Sequence, residues 1–162
     1  EMIFYSLLAP AERQYDVMNF DVSPAVSALQ SCSIAYTKNT LIPVSMDSLA
    51  IEGAMASVLT TQLLNQMLHL ECRCVGFLPT AIDRRTSATE VVMDTLKTLS
   101  DRHNVPLLPG IRTDQAVNKS MRSNKFLADF DPKSRALEDY QSLAESLMEV
   151  LEPNVEAQQQ AS

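Results

Sequence analysis

Short apolar runs alternate with longer segments of helical periodicity along this chain of 162 residues. The runs have the length and composition of buried strands: 17–22, 40–44, 74–78 and 105–108. Two segments between them, 25–35 and 48–70, repeat apolar residues at spacings of three and four, as amphipathic helices do. Because strands that alternate with helices indicate βαβ units, the sequence predicts an α/β fold with a mostly parallel sheet flanked by helices.

Capping residues mark where three later helices begin. Ser87 and Glu90 have the spacing of a capping box, in which a serine and a glutamate satisfy free backbone amides. Asp114 is predicted to cap a short helix that runs through Met121. Ser134 is predicted to cap the last helix, whose apolar residues again recur at spacings of three and four.

The composition favours one globular domain, with 46% hydrophobic and 20% charged residues. The domain is predicted to span 1–152, and a flexible tail is predicted over 153–162, where no apolar face continues. No apolar run is long enough for a bilayer, and three cysteines make no disulfide framework. We therefore expect no membrane partner and a cytoplasmic location. The start at Glu1 rather than at a methionine suggests a processed or truncated product.

Charge is unevenly distributed along the chain. The whole sequence carries a net charge of −7, which opposes binding to nucleic acid in general. The segment 112–135, in contrast, has six basic and three acidic residues and is therefore net positive. Such a segment is either a basic binding patch or an ordinary solvated helix face, and its charge alone leaves both interpretations open.

Polar residues that follow the predicted strands are the first candidates for a binding site, since ligands of parallel sheets bind at the carboxyl ends of strands. Asp21 ends the first apolar run, where its carboxylate could orient Mg²⁺ or could cap the helix after Pro24. Residues 45–47 follow the second run, residues 80–85 follow the third, and residues 110–114 follow the fourth.

An ordered set of short motifs covers about residues 15–150. The motifs are DVSP at 21–24, LIPV at 41–44, EG at 52–53, TAIDRRT at 80–86, IR at 111–112, DPKSR at 131–135 and a tyrosine at Tyr140. In order and spacing, this set resembles the C-terminal part of the ParA/Soj-type partition ATPases, which are MinD/ParA-like deviant Walker P-loop NTPases. The resemblance implies a P-loop NTPase fold that lacks its N-terminal phosphate-loop unit.

The phosphate loop of that family has the form KGGxGKT, and the chain has no counterpart to it. None of its three glycines is followed by lysine: Gly53, Gly76 and Gly110. Asn19 interrupts the first apolar run, and Arg112 and Thr113 stand where many members have Ile-Pro. We therefore expect the chain to need a missing N-terminal part, whether it is covalently attached, cleaved but associated, or a separate subunit.

The resemblance implies ATP and Mg²⁺ as cofactors and suggests roles for particular residues. Asp21 would be the catalytic residue and would orient Mg²⁺ through water, together with the attacking water. The nucleotide would be bound at strand ends by Thr80, Asp83, Arg112, Thr113 and Asp114. Non-specific DNA would be bound by Arg112, Lys119, Arg122 and Lys125. Considered without the family, Thr80 and Asp83 also fit ordinary turn chemistry.

Members of the family act as ATP-bound sandwich dimers that bind DNA and release it after hydrolysis stimulated by a ParB-type partner. The resemblance thus implies plasmid or chromosome partition by a nucleoid-associated homodimer. Without the phosphate loop, the chain is expected to be inactive alone. A non-catalytic ParA-like interaction module and an unrelated small α/β domain are the alternatives.

Overall fold

The computed structural model describes residues 2–23, 27–83 and 85–159. These residues form seven helices and two strands: α1 (Met2–Glu12), α2 (Ala28–Thr37), β1 (Asn39–Ser45), α3 (Ser48–Leu68), β2 (Arg73–Thr80), α4 (Ser87–His103), α5 (Gln115–Arg122), α6 (Leu127–Phe130) and α7 (Arg135–Gln159). β1 and β2 are parallel neighbours in one sheet. The predicted mixed α/β class with a parallel sheet is therefore confirmed at this coarse level.

The chain divides into two compact units. The first contains Glu1–Thr40 and Met55–Cys74, and the second contains Leu41–Ala54 and Val75–Ser162. Both strands and α3 contribute residues to each unit. Of the candidate site residues, Asp21 belongs to the first unit and all the others belong to the second.

In the first unit, the strand predicted over 17–22 does not form, and this segment instead makes an aromatic contact. These residues have no regular secondary structure. The ring of Phe20 packs edge-on at 5.7 Å from the ring of Tyr36, whereas Val17 and Val22 are 55% and 37% exposed. A parallel strand must be covered on both faces, and this segment leaves its valines in solvent. The strand prediction is therefore wrong.

The helix predicted over 25–35 is α2, shifted towards the carboxyl end. Its N-cap is Ser27, whose hydroxyl accepts a hydrogen bond from the backbone N–H of Gln30 at 3.2 Å. It ends at Lys38, which adopts the left-handed conformation with φ 56° and donates its N–H to the carbonyl of Ile34. Pro24 and the first two residues of the predicted helix lie outside the described residues.

β1 and β2 confirm the strands predicted at 40–44 and 74–78. Residues 75–79 of β2 are all buried, which is the pattern of a parallel strand covered on both faces. The helix predicted over 48–70 is confirmed as α3. Asp47 begins this helix, because its carboxylate accepts a hydrogen bond from the backbone N–H of Ala50 at 2.9 Å.

The strand predicted over 105–108 is reduced to a single parallel bridge between Phe77 of β2 and Leu107. The N–H of Phe77 donates to the carbonyl of Pro106 at 2.8 Å, and the N–H of Leu108 donates to the carbonyl of Phe77 at 2.9 Å. Pro106 has no N–H to donate to β2 on one side of the bridge, and Pro79 of β2 has none to donate to Leu108 on the other, so the regular ladder stops there. The segment therefore lies beside β2 without becoming a regular strand.

Two helix ends differ from the predictions. α4 already begins at Ser87, so its N-cap position is Thr86, whose side chain caps no backbone N–H of the helix. The capping-box prediction is therefore wrong. α7 continues to Gln159, so the described part of the tail predicted over 153–162 is helical, and residues 160–162 lie outside the described residues. The glutamate, alanine and glutamine residues of that stretch have high helix propensity.

The core of the second unit joins α7 to β2 and to the segment that follows the Leu107 bridge. Its buried members are Leu78, Leu108, Ile111 and Leu143, and the partly buried Leu41 and Leu147 pack against them. This packing fixes where the chain leaves β2, returns at residue 111 and enters α7. The candidate site lies among those three chain segments.

We expect Gly76→Ala to destabilise the protein by about 1–3 kcal/mol, the usual cost of overpacking a core. A Cβ at Gly76 would lie 2.5 Å from Cγ and 2.6 Å from Cδ1 of the buried Leu108, so this side chain would have to shift. The free energy of unfolding from chemical denaturation measures the effect.

Gly53→Ala is the matched control. A Cβ at Gly53 meets nothing within 4 Å, and the residue lies inside α3. Alanine should therefore stabilise the helix by about 0.5–1 kcal/mol. A Gly76→Ala variant as stable as the parent protein would show that β2 and Leu108 do not approach this closely.

Candidate functional site

An open cleft of about 590 Å³ lies in the second unit. It is lined by Ile82, Asp83, Arg85, Arg112, Thr113, Asp114, Gln115 and Arg135. We call it the Asp114 cleft. Four of the residues predicted to bind a nucleotide line it, namely Asp83, Arg112, Thr113 and Asp114. The fifth, Thr80, is the last residue of β2 and is not among the lining residues.

Backbone hydrogen bonds hold the two walls of the cleft together. Beyond β2, Ala81 adopts a left-handed conformation with φ 54°, which is unusual for a residue other than glycine. The N–H of Ile82 then donates to the carbonyl of Ile111 at 3.1 Å, and the N–H of Thr113 donates to the carbonyl of Ile82 at 3.0 Å. The parallel bridge between Ile82 and Arg112 therefore continues the pairing of β2 into the cleft.

Gly110 allows this close approach of the two walls. A Cβ at this position would collide with the side chain of Ile82 and would lie 3.1 Å from both Cβ and the carbonyl oxygen of Pro79. Only glycine avoids these contacts, because it has no side chain.

The carboxylate of Asp114 caps two helices at once. Its Oδ1 accepts a hydrogen bond from the backbone N–H of Ala116 at 2.9 Å, which is the N-cap of α5 predicted from the sequence. Its Oδ2 accepts from the hydroxyl of Ser134 at 3.3 Å and from the backbone N–H of Ala136 at 3.4 Å. The hydrogen bond from Ala116 is the main reason why the pKa of Asp114 lies below its usual range.

This geometry corrects the role predicted for Ser134. The Ser134 hydroxyl donates to Asp114, and the carbonyl of Ser134 accepts from the N–H of Leu137 at 3.1 Å. The first turn of α7 is therefore capped by a carboxylate 22 positions earlier in the chain. Sequence spacing gives no signal for this second contact, since it depends on the return of the chain.

Arg112 is bound to Asp139 of α7. Its Nε and Nη2 lie 2.9 and 2.7 Å from the two carboxylate oxygens, and its backbone N–H donates to the same group at 2.9 Å. Glu138 lies 3.6 Å from Nη2. Hydrogen bonds from Arg112 lower the pKa of Asp139 below its usual range. Because this bidentate pair offsets the guanidinium charge, Arg112 has less charge left to attract phosphate.

Asp83 and Arg85 form a second bidentate pair in the TAIDRRT turn. Nε and Nη2 of Arg85 lie 2.9 and 2.7 Å from the two oxygens of Asp83. The side-chain hydrogen bonds from Arg85 lower the pKa of Asp83 to about 2. The carbonyl of Asp83 also accepts from the hydroxyl of the buried Thr89 at 2.8 Å. Asp83 therefore fixes the turn that begins α4 while its side chain lines the cleft.

Arg85 and Arg135 are cleft residues to which the sequence interpretation assigned no role in nucleotide binding. Arg135 is exposed and makes no salt bridge with the residues that the structure describes. Its charge contributes to the lowered pKa of both Asp114 and Asp139. Both arginines lie in the quoted motifs, TAIDRRT and DPKSR, and those motifs are the signal that could have identified them.

Asp21 is exposed and lies in the irregular segment of the first unit. Within 2–23, 27–83 and 85–159, no group of three or more His, Cys, Asp or Glu residues could hold a metal ion. Mg²⁺ is commonly held by one or two carboxylates together with substrate phosphates. A single exposed carboxylate is therefore not a magnesium site by itself, and Asp21 would need phosphate oxygens from a bound nucleotide.

Three of the four predicted DNA contacts form an exposed basic surface on α5 and the turn after it: Lys119, Arg122 and Lys125. We call this the α5 basic surface. None of the three makes a salt bridge within the described part of the chain. The buried face of α5 carries Ala116 and Ser120, which leaves its basic residues in solvent. The fourth predicted contact, Arg112, is paired in the cleft instead.

No protein-family model matches the chain, and no curated protein matches its sequence. Among the helices of the described segments, none is both long and apolar enough to cross a membrane.

We expect Asp114→Ala to lower the free energy of unfolding near neutral pH by about 1–2 kcal/mol, because the variant loses caps on two helices. The folded-state pKa of Asp114 is lowered, so its contribution is present above the unfolded pKa and is lost as pH falls through the folded pKa. Denaturation at neutral pH and at about pH 3 should therefore show a difference that shrinks in acid.

Asp131→Ala serves as the control, since the carboxylate of Asp131 accepts a single local hydrogen bond from the N–H of Lys133 at 3.2 Å. Asp131→Ala should therefore lower the free energy of unfolding by less than Asp114→Ala does. Equal losses from the two variants would contradict the double cap.

Proposed function

We propose that this chain is the C-terminal part of a ParA-like ATPase for plasmid or chromosome partition. The intact protein would act as an ATP-dependent, DNA-binding homodimer switched by a ParB-type partner and associated with the nucleoid. The chain would supply the base end of the nucleotide site and a DNA-binding surface. A missing N-terminal part would supply the phosphate loop, and the two parts together would have the P-loop NTPase fold.

The observation that carries this proposal is the gathering of two motifs at one cleft. TAIDRRT and the segment that begins with Ile111 are about thirty residues apart in the chain, at the scale of one βαβ unit. They are joined through the Ile82–Arg112 bridge, and both line the Asp114 cleft. A cleft beyond the carboxyl end of a strand is where parallel sheets bind ligands.

The charges around the cleft favour the neutral end of a nucleotide over its phosphates. Arg85 and Arg112 are each paired with a carboxylate, so Arg135 is the lining cation without such a pair among the described residues. Asp114 presents a further negative charge. A triphosphate carries several charges and would need more donors than this cleft offers, whereas a base needs a few polar groups and an apolar wall. This cleft would therefore bind the base, and a separate phosphate loop would bind the phosphates.

A non-catalytic ParA-like interaction module is the second candidate. The observation in its favour is that none of the glycines precedes a lysine and that the described residues form no metal site. Such a module would keep the basic surface and lack ATP hydrolysis. The two candidates differ in whether joining the missing part restores nucleotide binding.

Calorimetric titration of MgATP tests the proposal. We expect the 162-residue chain to show no tight binding and no phosphate release, because phosphate-loop amides and lysine provide most of the phosphate contacts. The chain together with the missing N-terminal part, here called the extended protein, should show both activities. Micromolar binding by the 162-residue chain alone would contradict the assignment of the phosphate contacts to the missing N-terminal part.

The role of Asp21 is tested in the extended protein. Asp21→Ala should abolish hydrolysis, and Asp16→Ala should not, since Asp16 is also exposed in the first unit and has no proposed role. Hydrolysis that survives Asp21→Ala would remove the proposed role of Asp21. An extended protein that binds no MgATP would favour the non-catalytic module.

A further inference from the structure

The α5 basic surface continues into exposed apolar side chains. Phe126 is 83% exposed, Met121 is 72% exposed and Phe130 is 36% exposed. Single exposed apolar residues are ordinary, but here Met121 and Phe126 flank Arg122 and Lys125 within six positions. A solvent-facing phenylalanine beside unpaired cations is an unusual combination on a chain of net charge −7.

Backbone hydrogen bonds hold this aromatic residue in a defined position. The N–H groups of Asn124 and Lys125 donate to the carbonyls of Met121 and Ser120, each at 3.0 Å, so the turn folds back on the end of α5. Asn124 adopts a left-handed conformation with φ 50°, which asparagine tolerates well. The carbonyl of Phe126 then accepts from the N–H of Phe130 at 2.9 Å, which begins α6.

We propose that Phe126 packs against base faces of the DNA whose phosphates bind Lys119, Arg122 and Lys125. Cations on phosphates position a protein on DNA, and phenylalanine is among the side chains that insert between base steps in the minor groove. The proposal rests on the DNA binding proposed above and adds a base contact to it. Such a contact is sequence-tolerant, because every base has an aromatic face.

The surface fits DNA better than a lipid bilayer. Interfacial membrane helices bury a long apolar face, whereas α5 has eight residues and buries its small Ala116 and Ser120 inwards. The exposed apolar side chains here are few, and Asp129 and Asp131 follow Phe126 closely in the chain. Those carboxylates would be repelled by a broad anionic lipid surface. DNA would repel them less, because one narrow turn alone would contact its two strands of phosphates.

The test uses the ATP-loaded protein that carries this chain and a short mixed-sequence duplex containing 2-aminopurine, a base whose fluorescence rises when it is unstacked. We expect Phe126→Ala to weaken binding by about tenfold at an unchanged salt slope and to abolish the fluorescence rise. The double variant Arg122→Ala, Lys125→Ala should weaken binding on all sequences and reduce the salt slope by about two. Leu49→Ala, which truncates a 74% exposed residue on α3, should change neither.

The outcomes separate the two proposals. A normal affinity for the double basic variant would overturn DNA binding at this surface and the base contact with it. A weakened double basic variant beside an unaffected Phe126→Ala would overturn the base contact alone. Binding to anionic phospholipid vesicles that Phe126→Ala abolishes, with DNA binding unchanged, would assign the surface to membranes and contradict the inference.

Discussion

Two helices of the second unit begin at hydrogen bonds to one group, the carboxylate of Asp114. It accepts hydrogen bonds from the first turns of both α5 and α7, so one side chain fixes the start of two helices. α5 carries the basic surface, and α7 carries Asp139, which holds Arg112. Because Asp114 also lines the cleft, the cleft and the basic surface share one anchoring group.

The remainder of the cleft is held by close backbone approach. A side chain at Gly76 would collide with Leu108, and one at Gly110 would collide with Ile82 and crowd Pro79. Ala81 accepts a left-handed conformation at the end of β2, and local strain of this kind often marks a functional turn. The salt bridges of Arg85 and Arg112 then restrict the two side chains that would otherwise be free to bind anions.

The sequence predicts the local features of this fold well. The apolar runs at 40–44 and 74–78 became β1 and β2, and Asp114 caps α5 as its position before the helix indicates. The run at 17–22 failed because an apolar pattern cannot report whether neighbouring strands cover it. The run at 105–108 was reduced to one bridge by Pro106 within it and by Pro79 on the neighbouring strand, and the sequence shows both prolines.

The candidate site was predictable only in part, because its contacts join distant positions. The motifs place Asp83, Arg112, Thr113 and Asp114 near strand ends, and the structure places them around one cleft. The bond from Ala136 to Asp114 and the pair between Arg112 and Asp139 depend on how α7 returns to the sheet. No spacing rule reports such a return, so the second cap and the partner of Arg112 could not be found from the sequence alone.

Amide hydrogen exchange at Ala116 and Ala136 tests the double cap most directly. In Asp114→Ala, both amides lose the acceptor that protects them, so we expect both to exchange faster while the amides of β2 keep their protection. Faster exchange at Ala116 with unchanged exchange at Ala136 would reduce Asp114 to an ordinary N-cap of α5. That result would contradict the coupling of the two helices through one carboxylate.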